Sequence, residues 1–185
     1  MAHRDREFLG CGRRVLAESS APTVERALLG GPPVYAPDRP FDTCHIFLDL
    51  DVDLRRRRLA GVCRTTVSPR RAQLRSLTFD AVALKIARVT LDGKNVRFKN
   101  KGGKLVVFSP SALAEGERYQ VEIRYVVDEP EAGLHYVRPG PHAPDNPVQL
   151  WSQSQPEDAR RWFPCHDAPV QKTTSEIRAT VPSGF

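Results

Sequence analysis

The chain has 185 residues, of which 40% are hydrophobic and 27% charged, a balance that excludes a wholly disordered protein and suffices for one folded domain. No apolar run approaches the roughly 20 residues that a bilayer-spanning helix needs, so we predict no membrane partner. The net charge of +6 leaves nucleic acid as a partner to be weighed against where the basic residues stand.

Residues 1–34 differ from the rest of the chain and are predicted to be an N-terminal extension. Residues 23–29 predict a short helix, with Thr23 as its N-cap and Gly30-Gly31 as its end. The prolines that follow predict an extended arm. The N-terminus has no apolar segment of the secretory type, and its acidic residues argue against a transit peptide, so we predict a cytoplasmic protein.

From residue 43 onward the pattern is that of short β-strands. Apolar and polar residues alternate over 44–53 and 59–67, and the arginines at 55–58 mark the tip of a hairpin between them. Asp92-Gly93 predicts a tight turn into a strand over 94–99, because both residue types tolerate positive φ. Together with the alternation over 117–126, these signals predict an all-β domain over residues 35–185, an antiparallel β sandwich or open barrel.

The four consecutive arginines at 55–58 could also bind phosphates. Their position at a hairpin tip favours a solvated turn, and no aromatic residues are interleaved with them, as stacking on single-stranded nucleic acid requires. We therefore predict no nucleic-acid partner.

The four cysteines are far apart in the sequence, with no close pair of the zinc-binding or redox type. We predict reduced thiols. Cys44 and Cys63 fall within strand patterns, where a free cysteine behaves as a small buried apolar residue. Cys165 is predicted to pack in a loop rather than act as a nucleophile.

The most informative segment is residues 151–169, which read WSQSQPEDARRWFPCHDAP. A strand here would present Gln153 and Gln155 on one face and bury Trp151 beside them, because successive side chains alternate. Pro164 and Pro169 exclude an ordinary helix or central strand after it. A rigid polar loop that leaves a strand end is a common place for a binding surface.

Other side chains of this segment are expected to hold the loop in shape. An acid and two arginines in a tight loop predict a local ion pair or a bridge to a neighbouring domain. The aromatic pair should pack the loop down, and the later aspartate should accept hydrogen bonds from loop backbone. A metal site at Cys165 and His166 is the weaker alternative, because the sequence offers no further ligands nearby. The predicted loop-shaping residues are Asp158, Arg160, Trp162, Phe163, Pro164 and Asp167.

The segment resembles a motif of the zinc aminopeptidase family of aminopeptidase N and leukotriene hydrolase, Q-x-E/Q followed by R, an aromatic or apolar pair and P-C-x-D-x-P. Three further stretches resemble other strands of that family: residues 49–61, residues 133–136 and residues 172–182. The resemblance runs from about residue 35 to the last residue. It implies the N-terminal β domain of such an enzyme, a large twisted, saddle-shaped structure.

The resemblance also implies roles for the two glutamines. The second polar position of the motif, here Gln155, faces the zinc cleft in the family and helps to anchor the free amino terminus of the peptide substrate; the first position is Gln153. Many relatives carry Glu at the second position, which pairs with the amine by charge. Glutamine lacks that charge, but its carbonyl can accept a hydrogen bond. The alternative is that both side chains cap loop backbone.

The family's catalytic helix, H-E-x-x-H, has no counterpart in this sequence, since no two of its five histidines stand four apart. The resemblance therefore implies a non-catalytic domain, inactive alone and without a metal of its own, whose zinc and catalytic domain belong to the same polypeptide. Two alternatives stay open. One is a scaffold that keeps the fold for protein contacts, and the other is a basic β module that binds an acidic partner.

The resemblance finally implies that the domain is incomplete, because in the family it continues for several strands past the equivalent of residues 180–182. We therefore expect the last strand to be an exposed edge. Open edges recruit partners, so we predict that the chain self-associates or depends on the missing segment.

Overall fold

Strands make up most of the computed structural model, which describes residues 38–183. They are β1 (Phe41–Asp53), β2 (Arg58–Pro69), β3 (Leu74–Asp80), β4 (Lys85–Leu91), β5 (Lys94–Asn95), β6 (Phe98–Lys101), β7 (Lys104–Leu113), β8 (Tyr119–Asp128), β9 (Gly133–Val137), β10 (Gln149–Gln153) and β11 (Thr174–Thr180). Among these residues the only helix is a single 3-10 turn, Ala159–Arg161. The predicted all-β class is confirmed. The helix predicted over 23–29 lies outside the described residues.

The strands form three sheets. One has six strands in the order β11-β1-β2-β8-β4-β5, one has three in the order β3-β7-β6, and β9 pairs with β10 in the third. The pairings are antiparallel except that of β1 with β11, which is parallel. A parallel neighbour requires a long connection, and the chain supplies it because β2 to β10 all lie between β1 and β11 in the sequence. In residues 38–183 no helix could cross a membrane.

The hairpin of β1 and β2 follows its sequence pattern closely. Ile46, Leu48, Leu50 and Val52 are buried, and the residues between them are less so. The arginine tip is a turn, capped by the carboxylate of Asp53, which accepts hydrogen bonds from the backbone N–H groups of residues 55 and 56 at 3.0 and 2.9 Å. The predicted hairpin and its solvated tip are confirmed.

The predicted strand over 94–99 is interrupted. Asp92 and Gly93 have φ of +47° and +77°, so the tight turn is as predicted. After the turn, β5 ends at Asn95, and the chain then crosses to the other main sheet to begin β6 at Phe98. Alternation in the sequence does not report such a change of sheet, because each short half is itself extended.

The core lies between the inner faces of the six-stranded and three-stranded sheets. Phe41 of β1 meets Phe79 of β3 with ring centroids 5.4 Å apart, and both are almost fully buried. Cys63 is fully buried, as its pattern predicted, and burial raises the pKa of its thiol to about 12. Cys44 is only half-buried, because the register of β1 against β2 shifts between Thr43 and His45.

β11 lies at the edge of the six-stranded sheet, and all seven of its residues are exposed. Arg178 holds the strand to β1 through two contacts with the carboxylate of Asp49, one of 2.9 Å from Nε. Ile177 is 57% exposed. The far edge of β11 has no strand partner among residues 38–183.

Self-association through this edge stays a prediction. In solution the chain is expected to show a mass above that of the monomer, rising with concentration, because an unpaired strand with an exposed Ile177 can pair with another copy. Light scattering over a concentration series measures this. Ile177→Lys should lower the mass, whereas Val170→Lys, at a similarly exposed residue outside the strands, should not. A monomer at all concentrations would contradict the prediction.

Candidate functional site at the end of strand β10

The two glutamines singled out in the sequence lie at and just beyond the end of β10. In the β9–β10 sheet, Gln153 is opposite Gly133 and Trp151 is opposite His135. Side chains two residues apart on a strand, and those directly opposite on its neighbour, share a face. Gln153, Trp151 and His135 therefore stand together on the outer face. Leu134 is buried on the other face, against the core.

The expectation that Trp151 is buried is wrong. Its residue surface is 48% exposed, and its ring stacks on that of His135 with centroids 4.1 Å apart and planes at 17°. The physical reason is the pleat: Leu150 of β10 packs against the core, so the next side chain must point outward. The strand also ends at Gln153, so its alternation does not extend to Gln155.

Both glutamines are exposed. Within residues 38–183 no hydrogen bond engages either carboxamide, so neither side chain caps loop backbone in this part of the chain. Gln155 stands between β10 and the 3-10 turn, beside Pro156, and the peptide bond that joins the two is cis. Two exposed amide groups are thus presented at one end of the small sheet.

The 154–169 loop has a fixed local structure. The N–H of Asp158 donates to the carbonyl of Ser154 at 3.0 Å, which closes the turn that carries Gln155. Trp162 is buried, and its indole N–H donates to the hydroxyl of Ser154 at 3.1 Å. The ring of Phe163 meets that of Trp162 edge-on at 4.5 Å. The loop is thereby tied to the strand end on which the glutamines stand.

Arg160 connects the two ends of the loop. Its Nε donates to Asp167 Oδ2 at 2.9 Å, its backbone N–H donates to the same oxygen at 3.1 Å, and its guanidinium also reaches Glu157 at 2.8 Å. Burial of the guanidinium opposes its charge, but the hydrogen bond to Asp167 and the nearby carboxylates raise the pKa of Arg160 above its usual value. Charge-assisted contacts of this kind fix a loop more firmly than neutral ones.

Asp158 pairs with the neighbouring arginine instead. Arg161 Nε lies 3.3 Å from Asp158 Oδ1, and Arg161 Nη1 lies 2.9 Å from Glu131 Oε2. The Asp158–Arg161 pair is local, and the contact with Glu131 joins the loop to the segment before β9.

Pro164 is buried, and its carbonyl oxygen lies 3.6 Å from the Sγ atom of Cys63.

Sequence reasoning missed Asp80, which anchors the loop to the three-stranded sheet. Its backbone exchanges two hydrogen bonds with that of Cys165, of 2.6 and 3.1 Å. Its side chain accepts the backbone N–H of Asp167 at 3.1 Å, lies 3.7 Å from Arg160 and is paired with Lys104. A carboxylate that is only 6% exposed requires such partners. The only signal in the sequence was an acid at the end of an apolar strand.

Gly133 was also missed as a determinant of the site. Its φ is +83°, which favours glycine, and a Cβ there would stand 2.4 Å from the carbonyl oxygen of Asp158 and 2.8 Å from Trp162 Cδ1. The loop backbone therefore lies directly on this glycine. A Gly at a strand start was visible in the sequence, but the close approach of residues 25 positions away was not.

Cys165 and His166 follow Pro164 in the same loop. Cys165 is buried, and burial raises the pKa of its thiol well above the usual range, which disfavours the thiolate that a nucleophile needs. Among residues 38–183 no three His, Cys, Asp or Glu side chains converge in a manner that could hold a metal ion. The ring of His166 packs edge-on against Phe41 at 6.1 Å.

The chain is similar to several known proteins. Leukotriene A-4 hydrolase of Xenopus laevis is 29% identical over 160 residues, 83% of this chain and 26% of that protein. Transcription initiation factor TFIID subunit 2 of Drosophila melanogaster is 24% identical over 191 residues, 78% of this chain and 16% of that protein. The crystal structure of the M1 zinc metallopeptidase from Deinococcus radiodurans matches with a TM-score of 0.65 and 27% identity, covering 78% of this chain and 33% of that one.

A variant of the Deinococcus radiodurans enzyme bound to a Tyr-Ser-Ala substrate matches with a TM-score of 0.64 and 26% identity over 78% of this chain and 33% of that one. The chain thus spans about a third of the metallopeptidase and a quarter of the hydrolase. The family profile described as the Peptidase M1 N-terminal domain matches residues 32–184. With that match over most of its length, the chain belongs to the Peptidase M1 N-terminal domain family.

Proposed function

We propose that this chain is the non-catalytic N-terminal domain of a zinc-dependent aminopeptidase, and that Gln155 and Gln153 contact the amino end of its peptide substrate. Family membership supports the domain assignment. The observation that carries the site is the pair of exposed carboxamides at the end of β10, with no hydrogen-bond partner in residues 38–183. The peptide and a catalytic domain of the same polypeptide are the proposed partners.

The chemistry of the contact follows from the residue type. A protonated α-amine is a donor, and the carbonyl oxygen of a glutamine can accept from it. Without a formal charge on the glutamine, this bond is weaker than one to a carboxylate. The glutamine can still position the amine at a low entropic cost. The 154–169 loop is already held by Arg160 and Trp162, so little ordering remains when substrate binds.

The zinc of such an enzyme does not fit the residues that the structure describes. A protein zinc site takes three or four His, Cys, Asp or Glu ligands, and no such group forms within residues 38–183. The proposal therefore assigns the metal ligands to the catalytic domain and gives this chain a binding and positioning role. A cytoplasmic location is also proposed, supported by the free thiols of Cys44, Cys63 and Cys165.

The experiment that tests the proposal is Gln155→Ala in the full-length protein that carries this chain. We expect kcat/KM for peptides with a free amino terminus to fall about ten- to hundredfold, since a hydrogen bond to a charged group contributes about 1.5–3 kcal/mol. Binding of N-acetylated peptides, measured as inhibition, should change little. Gln155→Glu should strengthen binding of the free amine.

Gln149→Ala is the matched control, because Gln149 is an exposed glutamine at the other end of the same strand. It should leave both kinds of ligand unaffected. Equal kinetics for Gln155→Ala and the parent would remove Gln155 from the substrate site. If the full-length protein hydrolyses no peptide at all, the aminopeptidase assignment itself falls.

The second candidate is a non-catalytic scaffold for protein contacts. It is favoured by the similarity to a transcription initiation factor subunit. The two candidates differ in whether the complete gene encodes H-E-x-x-H, which sequencing beyond codon 185 reveals. At the arginine tip, Arg58 is paired with Asp128 at 3.2 Å and Arg56 lies 3.8 Å from Asp53, so two of the four arginines have acidic partners with which a polyanion would have to compete.

A further inference from the structure

Much of the excess positive charge of the chain lies in one short stretch. Residues 85–104 contain seven lysines and arginines and one acidic residue, so this stretch alone carries a net charge as large as the +6 of the whole chain. Two of these side chains have acidic partners, since Lys85 lies 2.8 Å from Asp128 and Lys104 is paired with Asp80. The five basic residues between them take part in no ion pair within the described part of the chain.

Three of these five charges stand in a row on one face of the three-stranded sheet. Lys99 and Lys101 are alternate residues of β6, which pairs with β7. The ladder extends back to Arg97, whose carbonyl accepts the N–H of Phe108 at 2.9 Å. Alternate side chains of a strand point to the same face about 7 Å apart. Arg97, Lys99 and Lys101 are all exposed, so they form a row of positive charge along β6.

The same strand has an edge without a strand partner. β6 is the last strand of its sheet, and in the described part of the chain no backbone hydrogen bond reaches its far side. Because the backbone of Arg97 bonds to β7, so does that of every second residue after it. The N–H and C=O groups of Phe98 and Asn100 therefore point away from β7. They are available to the backbone of an added strand.

The row of charges decides what kind of strand fits. A second copy of β6 would place like charges opposite one another, which destabilises a strand pair. Single-stranded nucleic acid stacks its bases on open aromatic rings, but the Arg97 guanidinium lies over the Phe108 ring, 6.0 Å from its centroid. An extended polypeptide with acidic residues at alternate positions matches both the spacing of the charges and the unpaired backbone groups.

We propose that the outer edge of β6 binds an acidic segment of a partner protein, which extends the three-stranded sheet and places carboxylates opposite Arg97, Lys99 and Lys101. Main-chain hydrogen bonds hold the segment, and the three charge pairs select its sequence. Each such cross-strand pair changes the affinity by about 1.4- to fivefold. This surface lies on a different sheet from Gln155, so the inference is independent of the proposed function.

The test measures binding of dye-labelled heptapeptides to the 185-residue chain by fluorescence anisotropy. The peptides are acetylated, so they do not report on the proposed amine contact. Thr-Glu-Leu-Glu-Leu-Glu-Thr has alternating glutamates and reads alike in both directions, so it can pair in either orientation. Its isomer Glu-Glu-Leu-Thr-Thr-Leu-Glu has the same composition and charge but can place only one glutamate opposite the row. The isomer should bind about two- to thirtyfold more weakly, since two charge pairs are lost.

Lys99→Glu should weaken binding of the alternating peptide by about two- to thirtyfold, because the central attraction becomes a repulsion. A peptide with lysine as its central residue, Thr-Glu-Leu-Lys-Leu-Glu-Thr, should bind this variant more tightly than it binds the parent. Lys94→Glu is the matched control, since Lys94 is an exposed lysine of β5 and the change in net charge is the same. At about 0.15 M salt, where charges are screened beyond roughly 8 Å, it should bind like the parent.

Equal affinity for the two isomers, or unchanged affinity in Lys99→Glu, would overturn the inference. Tighter binding of an oligothymidylate than of the alternating peptide would also overturn it, because the stretch would then be a phosphate-binding surface. Thermal unfolding of each variant checks that the substitutions at exposed residues leave the fold intact. None of these measurements requires hydrolysis of a peptide, so failure here is distinct from failure of the proposed function.

Discussion

Gly133→Ala is expected to displace the 154–169 loop and to lower the free energy of unfolding by about 3 kcal/mol, which combines roughly 1–2 kcal/mol for a left-handed alanine with roughly 1–3 kcal/mol for overpacking. The new methyl group would lie 2.4 Å from the carbonyl oxygen of Asp158, a backbone atom that cannot turn aside. The loop must therefore move, and Trp162 with it. Urea unfolding gives the free energy, and a red shift of tryptophan emission reports exposure of Trp162.

Gly140→Ala is the matched control, because its Cβ would meet no atom within 4 Å. This variant should unfold like the parent. If Gly133→Ala also retained the stability and the emission of the parent, the loop would not lie on Gly133 as described. The same variant bears on function, since a displaced loop carries Gln155 away from its strand end.

Asp80→Ala is expected to lower stability by about 3 kcal/mol, because removing one member of a buried ion pair leaves its partners uncompensated. This loss of stability is at the lower end of the range for buried ion pairs, since the side chain of Lys104 is 55% exposed and can turn to water. The side chain of Arg160 is 22% exposed and cannot do so as readily. The backbone N–H of Asp167 also loses its acceptor. Urea unfolding measures the change.

Limited trypsin digestion adds a local measurement, since the loop contains Arg160 and Arg161 as cleavage sites. Cleavage there should be faster in Asp80→Ala than in the parent, because the loop loses its anchor. Asp80→Asn keeps a hydrogen-bond acceptor without the charge and should fall between the two. Asp145→Ala, at an exposed carboxylate, is the control and should match the parent. Parent-like cleavage of Asp80→Ala would show that the side chain does not hold the loop.

The sequence predicted those parts of the fold that depend on neighbouring residues. Alternation identified the β1–β2 hairpin and the buried face of β8, and Asp92-Gly93 identified the turn between β4 and β5, because pleat and turn chemistry act over a few positions. The same local reasoning placed Trp151 inside, where the core contact of Leu150 instead turns it outward. Exposure there is decided by the register of a two-stranded sheet.

The site depends on contacts between distant parts of the chain, and these were beyond prediction from pattern. Asp80 receives the N–H of a residue 87 positions later. Gly133 is fixed by the backbone of Asp158. The motif itself indicated where a binding loop lies, since its prolines and paired polar residues exclude regular structure. Which polar side chains form ion pairs depends on the tertiary fold, which brings together residues far apart in the sequence.

The parallel neighbour of β1 has a consequence for how the protein is made. Nδ1 of His45 in β1 is hydrogen-bonded to the hydroxyl of Thr174 at 2.8 Å, and the two residues are 129 positions apart in the sequence. While the polypeptide emerges from the ribosome, this edge of β1 has no strand partner until β11, the last described strand, has been synthesised. Contacts so distant in sequence form slowly, and bare strands are the places where nascent chains stick to one another. Chaperone engagement during translation is therefore expected to concentrate on β1.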